Sequence, residues 1–175
     1  GRKGADMKVN ELDEGAIRDI GHAFGYYDYG GEQGLASFFP SQEATSLYIQ
    51  GYVRGMLRGV FLHSTGPRNE GFIAYKLPGQ KIRPSAFLTL LQGVFRSMTL
   101  AELLRFARAM KQGGASLRDQ YDKRKAPYIF VGMLCVPEAY QHLGMELAGT
   151  RDVGAFGKLY DLIRYPEKPA SKEVL

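Results

Sequence analysis

Tyr128-Ile129-Phe130-Val131-Gly132-Met133-Leu134-Cys135-Val136 is an uncharged run of strand-forming residues, closed off by Pro127 on one side and Pro137 on the other. Polar and apolar positions do not alternate in it, which predicts a strand buried on both faces. It leads directly into Pro137-Glu138-Ala139-Tyr140-Gln141, a short polar loop ending in a Tyr-Gln pair. A strand buried on both faces is packed between other elements of the fold.

The segments around it fit that expectation. Met7-Lys8-Val9-Asn10-Glu11-Leu12 alternates and reads as a first strand, and Gly1 to Asp6 as a tag remnant or frayed end. Asp13 is placed to cap a helix carrying Ile17, Ile20 and Phe24 on one face. An aromatic, turn-rich loop follows at Tyr26-Tyr27-Asp28-Tyr29-Gly30-Gly31. Ser41 caps a second helix on which Ile49, Val53, Met56 and Val60 recur at helical spacing. Phe61 to Thr65 and Gly71 to Tyr75 read as an antiparallel hairpin around Gly66-Pro67-Arg68-Asn69.

Between that hairpin and Tyr128, residues 80–125 predict two helices and a linker. The first helix follows Ser85 with Phe87, Leu88, Leu91, Val94, Phe95 and Met98 as its apolar residues. The second opens on the capping box Thr99-Leu100-Ala101-Glu102, carries Leu103, Leu104, Ala107 and Met110, and stops at Gly113-Gly114. The mixed charges from Arg118 to Lys125 read as a solvated linker. Beyond Gln141, Glu146 to Thr150 and Leu159 to Arg164 predict a second hairpin, and the polar tail 166–175 a loose end.

Composition bounds the rest. The 175 residues suit one domain with a proper core, and the mean hydropathy of −0.25 is that of an ordinary globular chain. No apolar run reaches membrane-spanning length, so a membrane is not among the expected partners. The single cysteine, Cys135, excludes an internal disulfide and fits a reducing cytoplasm. The three histidines, His22, His63 and His142, lack metal-ligand spacing. A net charge of +5 permits a polyanionic partner, but the basic residues are too dispersed to select nucleic acid. Coenzyme A phosphates suit such a chain equally well.

The strand at Tyr128 and the Tyr140-Gln141 pair resemble the fourth strand of the GNAT N-acetyltransferases and the loop that follows it. The order β-α-α-β-β, then a helical pair, then β resembles the GNAT order with an insertion before the fourth strand, as in some bacterial subfamilies. The resemblance implies a GNAT-like α/β (α+β) fold: a mixed, mainly antiparallel sheet with flanking helices and an additional helical pair. It further implies transfer of an acetyl group from acetyl-CoA to a primary amine, on a small molecule or a peptide. Met133, Leu134, Cys135 and Val136 would then hold the pantetheine arm along a free strand edge, and Gln141 would open the pyrophosphate loop. One backbone N–H of that strand would face the thioester oxygen. A homodimer is compatible with the resemblance.

Past Gln141 the match ends. Gln141-His142-Leu143-Gly144-Met145-Glu146 places Glu146 where the family's phosphate loop has Gly or Ala, and a carboxylate there would repel a pyrophosphate. His142 to Leu147 resembles instead the entry to the family's sixth strand. On that alignment the third helix, the fifth strand and most of the fourth helix are missing, on the order of 40 residues by mean element lengths. A segment is therefore expected between Gln141 and His142. If the segment is truly deleted, the alternative function is a GNAT-derived binding module without cofactor chemistry.

No catalytic base or acid is assigned. Cys135 reads as a small buried hydrophobe rather than a nucleophile, since no local group lowers its pKa. His63 is a lone histidine, for which a structural role comes first. The aromatic loop, Tyr48 and Tyr52 fall where the family builds its acceptor pocket, although packing and turn chemistry account for them as well. Asp28, Glu32 and Glu43 are carboxylates that could attract an amine.

Overall fold

In the computed structural model, residues 7–26, 34–64, 71–135, 146–153 and 158–163 are described. They form a mixed α+β structure. Asp13 caps α1 (Glu14–Gly25), its side chain accepting from the Ala16 amide at 2.8 Å. After a short 3₁₀ helix (Gly34–Phe38), Ser41 caps α2 (Gln42–Gly59) in the same way, accepting from the Ala44 amide at 3.0 Å. Both caps sit where the sequence places them, because a side-chain oxygen satisfying an orphan amide is a local interaction.

The main sheet has the order β1-β2-β3-β4, with every neighbouring pair antiparallel. β1 is only Met7–Lys8, shorter than the sequence suggests, although the Val9 amide still bonds the Leu62 carbonyl at 2.9 Å. β2 (Leu62–Ser64) and β3 (Phe72–Lys76) form the expected hairpin. Helices α1 and α2 cover one face of this sheet. Ile17, Ile20, Ile49, Val53 and Met56 meet Leu62, Phe72, Ala74 and Met133 there in a single core. Val60 does not extend α2. It caps it at φ 63°, a left-handed conformation unusual for a β-branched residue.

α3 (Pro84–Ser97) and α4 (Leu100–Gln112) are the expected helical pair, and both bonds of the Thr99–Glu102 capping box are present. Of the apolar residues expected on α3, Met98, at its C-cap, is buried, but the face that the helix itself buries is another. Ala86, Thr89, Gly93 and Ser97 are its buried residues, while Phe87, Leu88 and Phe95 face outward. The reason lies on α2, where Gly51, Gly55 and Gly59 recur one turn apart. Gly51 touches the Gly93 backbone, Gly55 comes up against Leu90, and Gly59 comes up against Phe61, with Ala86 at ordinary contact distance. Where Gly51 meets Gly93 the two helices touch backbone to backbone, and one turn on Leu90 fits between them because Gly55, which faces it, has no side chain.

The expected linker is a correction too. Residues Leu117–Arg124 form α5, with a second capping box between Ser116 and Asp119 and an Arg118–Asp122 pair at 3.7 Å one turn apart. β4 spans Phe130–Cys135 and pairs with β3. It is not buried on both faces as expected: Met133 is in the core, whereas Ile129 and Val131 are exposed.

The second hairpin is β5 (Glu146–Asp152) with β6 (Lys158–Ile163), an antiparallel sheet of its own. The Asp161 carboxylate accepts from Arg151 at 3.2 Å and from the Leu117 amide at 3.3 Å, tying the hairpin to the start of α5. Val153 closes a small second core with Phe38 and Ala109.

Candidate functional site

The site expected from the sequence is β4, and three of its named residues lie in the described strand. Met133 pairs with Ala74, Leu134 with Ile73 and Cys135 with Phe72. The Met133 side chain is buried in the core, so any contact it makes with a ligand runs through its backbone. Val136, Gln141 and the Gln141–His142 junction lie outside the described residues, as do Asp28 and Glu32.

Gly132 is the irregular point of the strand. Ala74 pairs with Met133 and its neighbour Tyr75 with Val131, which leaves Gly132 as one extra residue on β4. A bulge of this kind re-aims the strand and shifts the phase of its side chains. It explains why Val131 is exposed and Met133 buried although they are two residues apart. Among the described residues β4 pairs with β3 alone; a strand edge without a partner is one to which an extended chain can add.

Against this bulge stands Tyr52 of α2. Its hydroxyl touches Gly132 so closely that a Cβ there would overlap it. Tyr48, one turn earlier, lies 6.3 Å from Tyr52 between ring centres and 4.8 Å from Phe39. Burial raises the pKa of both phenols, and the neighbouring Tyr48 raises that of Tyr52 further, with Arg118 opposing. Tyr52 is therefore a neutral hydrogen-bond donor at any physiological pH, not a base.

α5 contributes the cation. The Arg118 guanidinium stands 5.0 Å from the Phe130 ring centre and pairs with Asp122, and Asp122 in turn accepts from the Tyr128 hydroxyl. That hydrogen bond is the first cause of the raised Tyr128 pKa. Sequence reading missed Arg118 because it took this segment for a linker. The Ser116-x-x-Asp119 pattern was the available signal of a helix start.

The remaining candidates fall elsewhere. His63 lies on the opposite face of the sheet from the helices and stacks on Tyr75 at 4.3 Å. Glu43 accepts from the Tyr26 hydroxyl at 3.2 Å in the first turn of α2. A cleft of about 450 Å³ opens between the β3–α3 connection and the approach to β4, bordered by Lys76, Gln80, Lys81, Lys125 and Tyr128. It sits at the Phe130 end of β4, away from Cys135. No protein-family model, curated protein or solved structure matches this chain.

Proposed function

We propose that this chain is a GNAT-type domain that holds acetyl-CoA along the free edge of β4 and transfers its acetyl group to a primary amine. The observation that carries the reading is the bulged strand β4, which among the described residues pairs with β3 alone. A pantetheine arm is itself an extended chain with amide groups, and it can add to such an edge as a further strand would. The antiparallel order β1-β2-β3-β4, with α1 and α2 between β1 and β2 and the helical pair before β4, also supports it.

On this reading the neutral amine attacks the thioester carbonyl, the tetrahedral oxyanion takes a backbone N–H of β4, and the coenzyme thiolate departs. The amine's extra proton leaves to water. Tyr52, kept neutral by its burial, stands with its hydroxyl beside the bulge, where it is a donor available to a group held along the strand. Positioning and the oxyanion contact supply the acceleration.

The alternative, a binding module without cofactor chemistry, is favoured by one observation. Glu146 begins strand β5, not a helix, so the Gln141–Glu146 stretch does not lead into a helix N-terminus at which a pyrophosphate would be held. Thermal unfolding with and without acetyl-CoA separates the two. A ligand at a hundred times its Kd stabilises the native state by about 2.7 kcal/mol, and the enzyme reading expects a clear rise in Tm. An unchanged Tm at millimolar acetyl-CoA sinks it and leaves the binding module.

A further inference from the structure

The outward face of the α3–α4 elbow is apolar, and no element among the described residues covers it. Phe87, Leu88 and Phe95 on α3 and Leu100 and Leu104 on α4 are each more than half exposed. On α3 these residues lie opposite the stripe of Ala86, Thr89, Gly93 and Ser97 that the helix buries. α3 and α4 meet at 108°, with Phe95 in the last turn of one and Leu100 in the first turn of the other. Exposed apolar surface of this extent marks a docking face.

The charge around it says what docks. Between positions 81 and 112 stand six basic residues, Lys81, Arg83, Arg96, Arg105, Arg108 and Lys111, and a single acid, Glu102. That balance equals the entire +5 net charge of the chain. All six basic side chains are exposed, and among the described residues none of them forms an ion pair. Glu102 is taken up by the capping box, bonding the Thr99 amide at 2.8 Å and its hydroxyl at 2.7 Å. A second copy of the chain would bring two such basic sets together, which like-charge repulsion opposes.

We infer that the α3–α4 elbow seats this protein on an anionic lipid surface, with Phe87, Leu88, Phe95, Leu100 and Leu104 entering the headgroup boundary and the ring of basic residues meeting lipid phosphates. Helices with a Phe/Leu face and Lys/Arg flanks lie in the plane of the interface in this way. No single helix among the described residues is long and apolar enough to cross a membrane; α3 and α4 reach that length and composition only together, across their 108° bend, and the inferred attachment is therefore a peripheral one. The inference is independent of what β4 binds. It adds a partner that a search of the sequence for spanning segments does not reveal.

Vesicle flotation of the full chain tests it. The protein should float with phosphatidylglycerol-rich vesicles, stay behind with pure phosphatidylcholine vesicles, and be released by high salt. Each basic residue near such a surface contributes about fivefold in partition. The triple change Arg105→Gln, Arg108→Gln, Lys111→Gln should therefore weaken binding on the order of a hundredfold, at exposed positions where folding is unaffected. Phe95→Ser with Leu104→Ser should abolish flotation while circular dichroism keeps its helical signal. Equal binding to both vesicle types, no binding to either, or a triple variant that floats like the parent overturns the inference. So does a concentration-dependent dimer that Phe95→Ser with Leu104→Ser makes monomeric, because the face would then belong to a second copy.

Discussion

The Tyr52 hydroxyl rests against Gly132, so that one phenol of α2 fixes the only residue type the β4 bulge can hold. Gly132→Ala should lower stability by about 1–3 kcal/mol, the usual cost of overpacking. The ring is held by Tyr48 and its own burial and cannot simply swing away. Tyr52→Phe removes the offending oxygen, and the double variant should recover most of the loss. Urea denaturation of the four proteins gives the coupling directly. Additive losses would show that the contact does not constrain Gly132.

Tyr52 and Tyr48 also set an alkaline limit. Their folded pKa values lie above the unfolded value of about 10 because burial disfavours the phenolate. Below that pH both states carry the proton and nothing changes. Above it the unfolded chain ionises first, so stability falls as pH rises past about 10. Tyr52→Phe should flatten this fall, which denaturation midpoints over the alkaline range would reveal. An identical alkaline slope in the variant would remove Tyr52 as its source.

Gly51 and Gly93 should each resist alanine. In an ordinary helix interior the change gains about 1 kcal/mol of helix propensity. Here the new Cβ meets the facing backbone, which no side-chain rotation relieves. The overpacking cost, about 1–3 kcal/mol and sometimes more, wins. Thermal unfolding should show a net loss for both variants, whereas a gain would mean the helices are not in backbone contact.

Asp161 holds the β5–β6 hairpin to the body through Arg151 and the Leu117 amide. Asp161→Ala leaves the mostly buried Arg151 without its partner and should cost about 2–3 kcal/mol. Hydrogen exchange should speed up across β5, β6 and the first turn of α5 ahead of the main sheet. Uniform acceleration across the whole chain would instead place this contact in the global unfolding unit.

Cys135→Ala should fold and, if the proposed acetyl transfer is direct, keep most of its turnover. Turnover lost while acetyl-CoA still binds would point to an acetyl-cysteine intermediate.

What the sequence determined by itself is local. Asp13, Ser41 and the Thr99–Glu102 pair cap the helices they were expected to cap. Ile17, Ile20, Ile49, Val53 and Met56 are buried as their spacing requires. A cap joins groups three residues apart, and helical spacing is a property of one element, so both are written in consecutive letters. The tertiary structure decided what depends on a partner. Phe87, Leu88 and Phe95 on α3 imply a core face, yet they point outward, because α3 turns toward α2 the side on which Gly93 meets Gly51 and Leu90 meets Gly55. The run from Tyr128 reads as buried on both sides, yet the extra residue at Gly132 turns Val131 outward and Met133 inward. Arg118 reaches the strand only because α5 replaces a linker. Which face of an element is buried, and which residue must be glycine, are fixed by the element packed against it, and a pattern within one segment does not contain that neighbour.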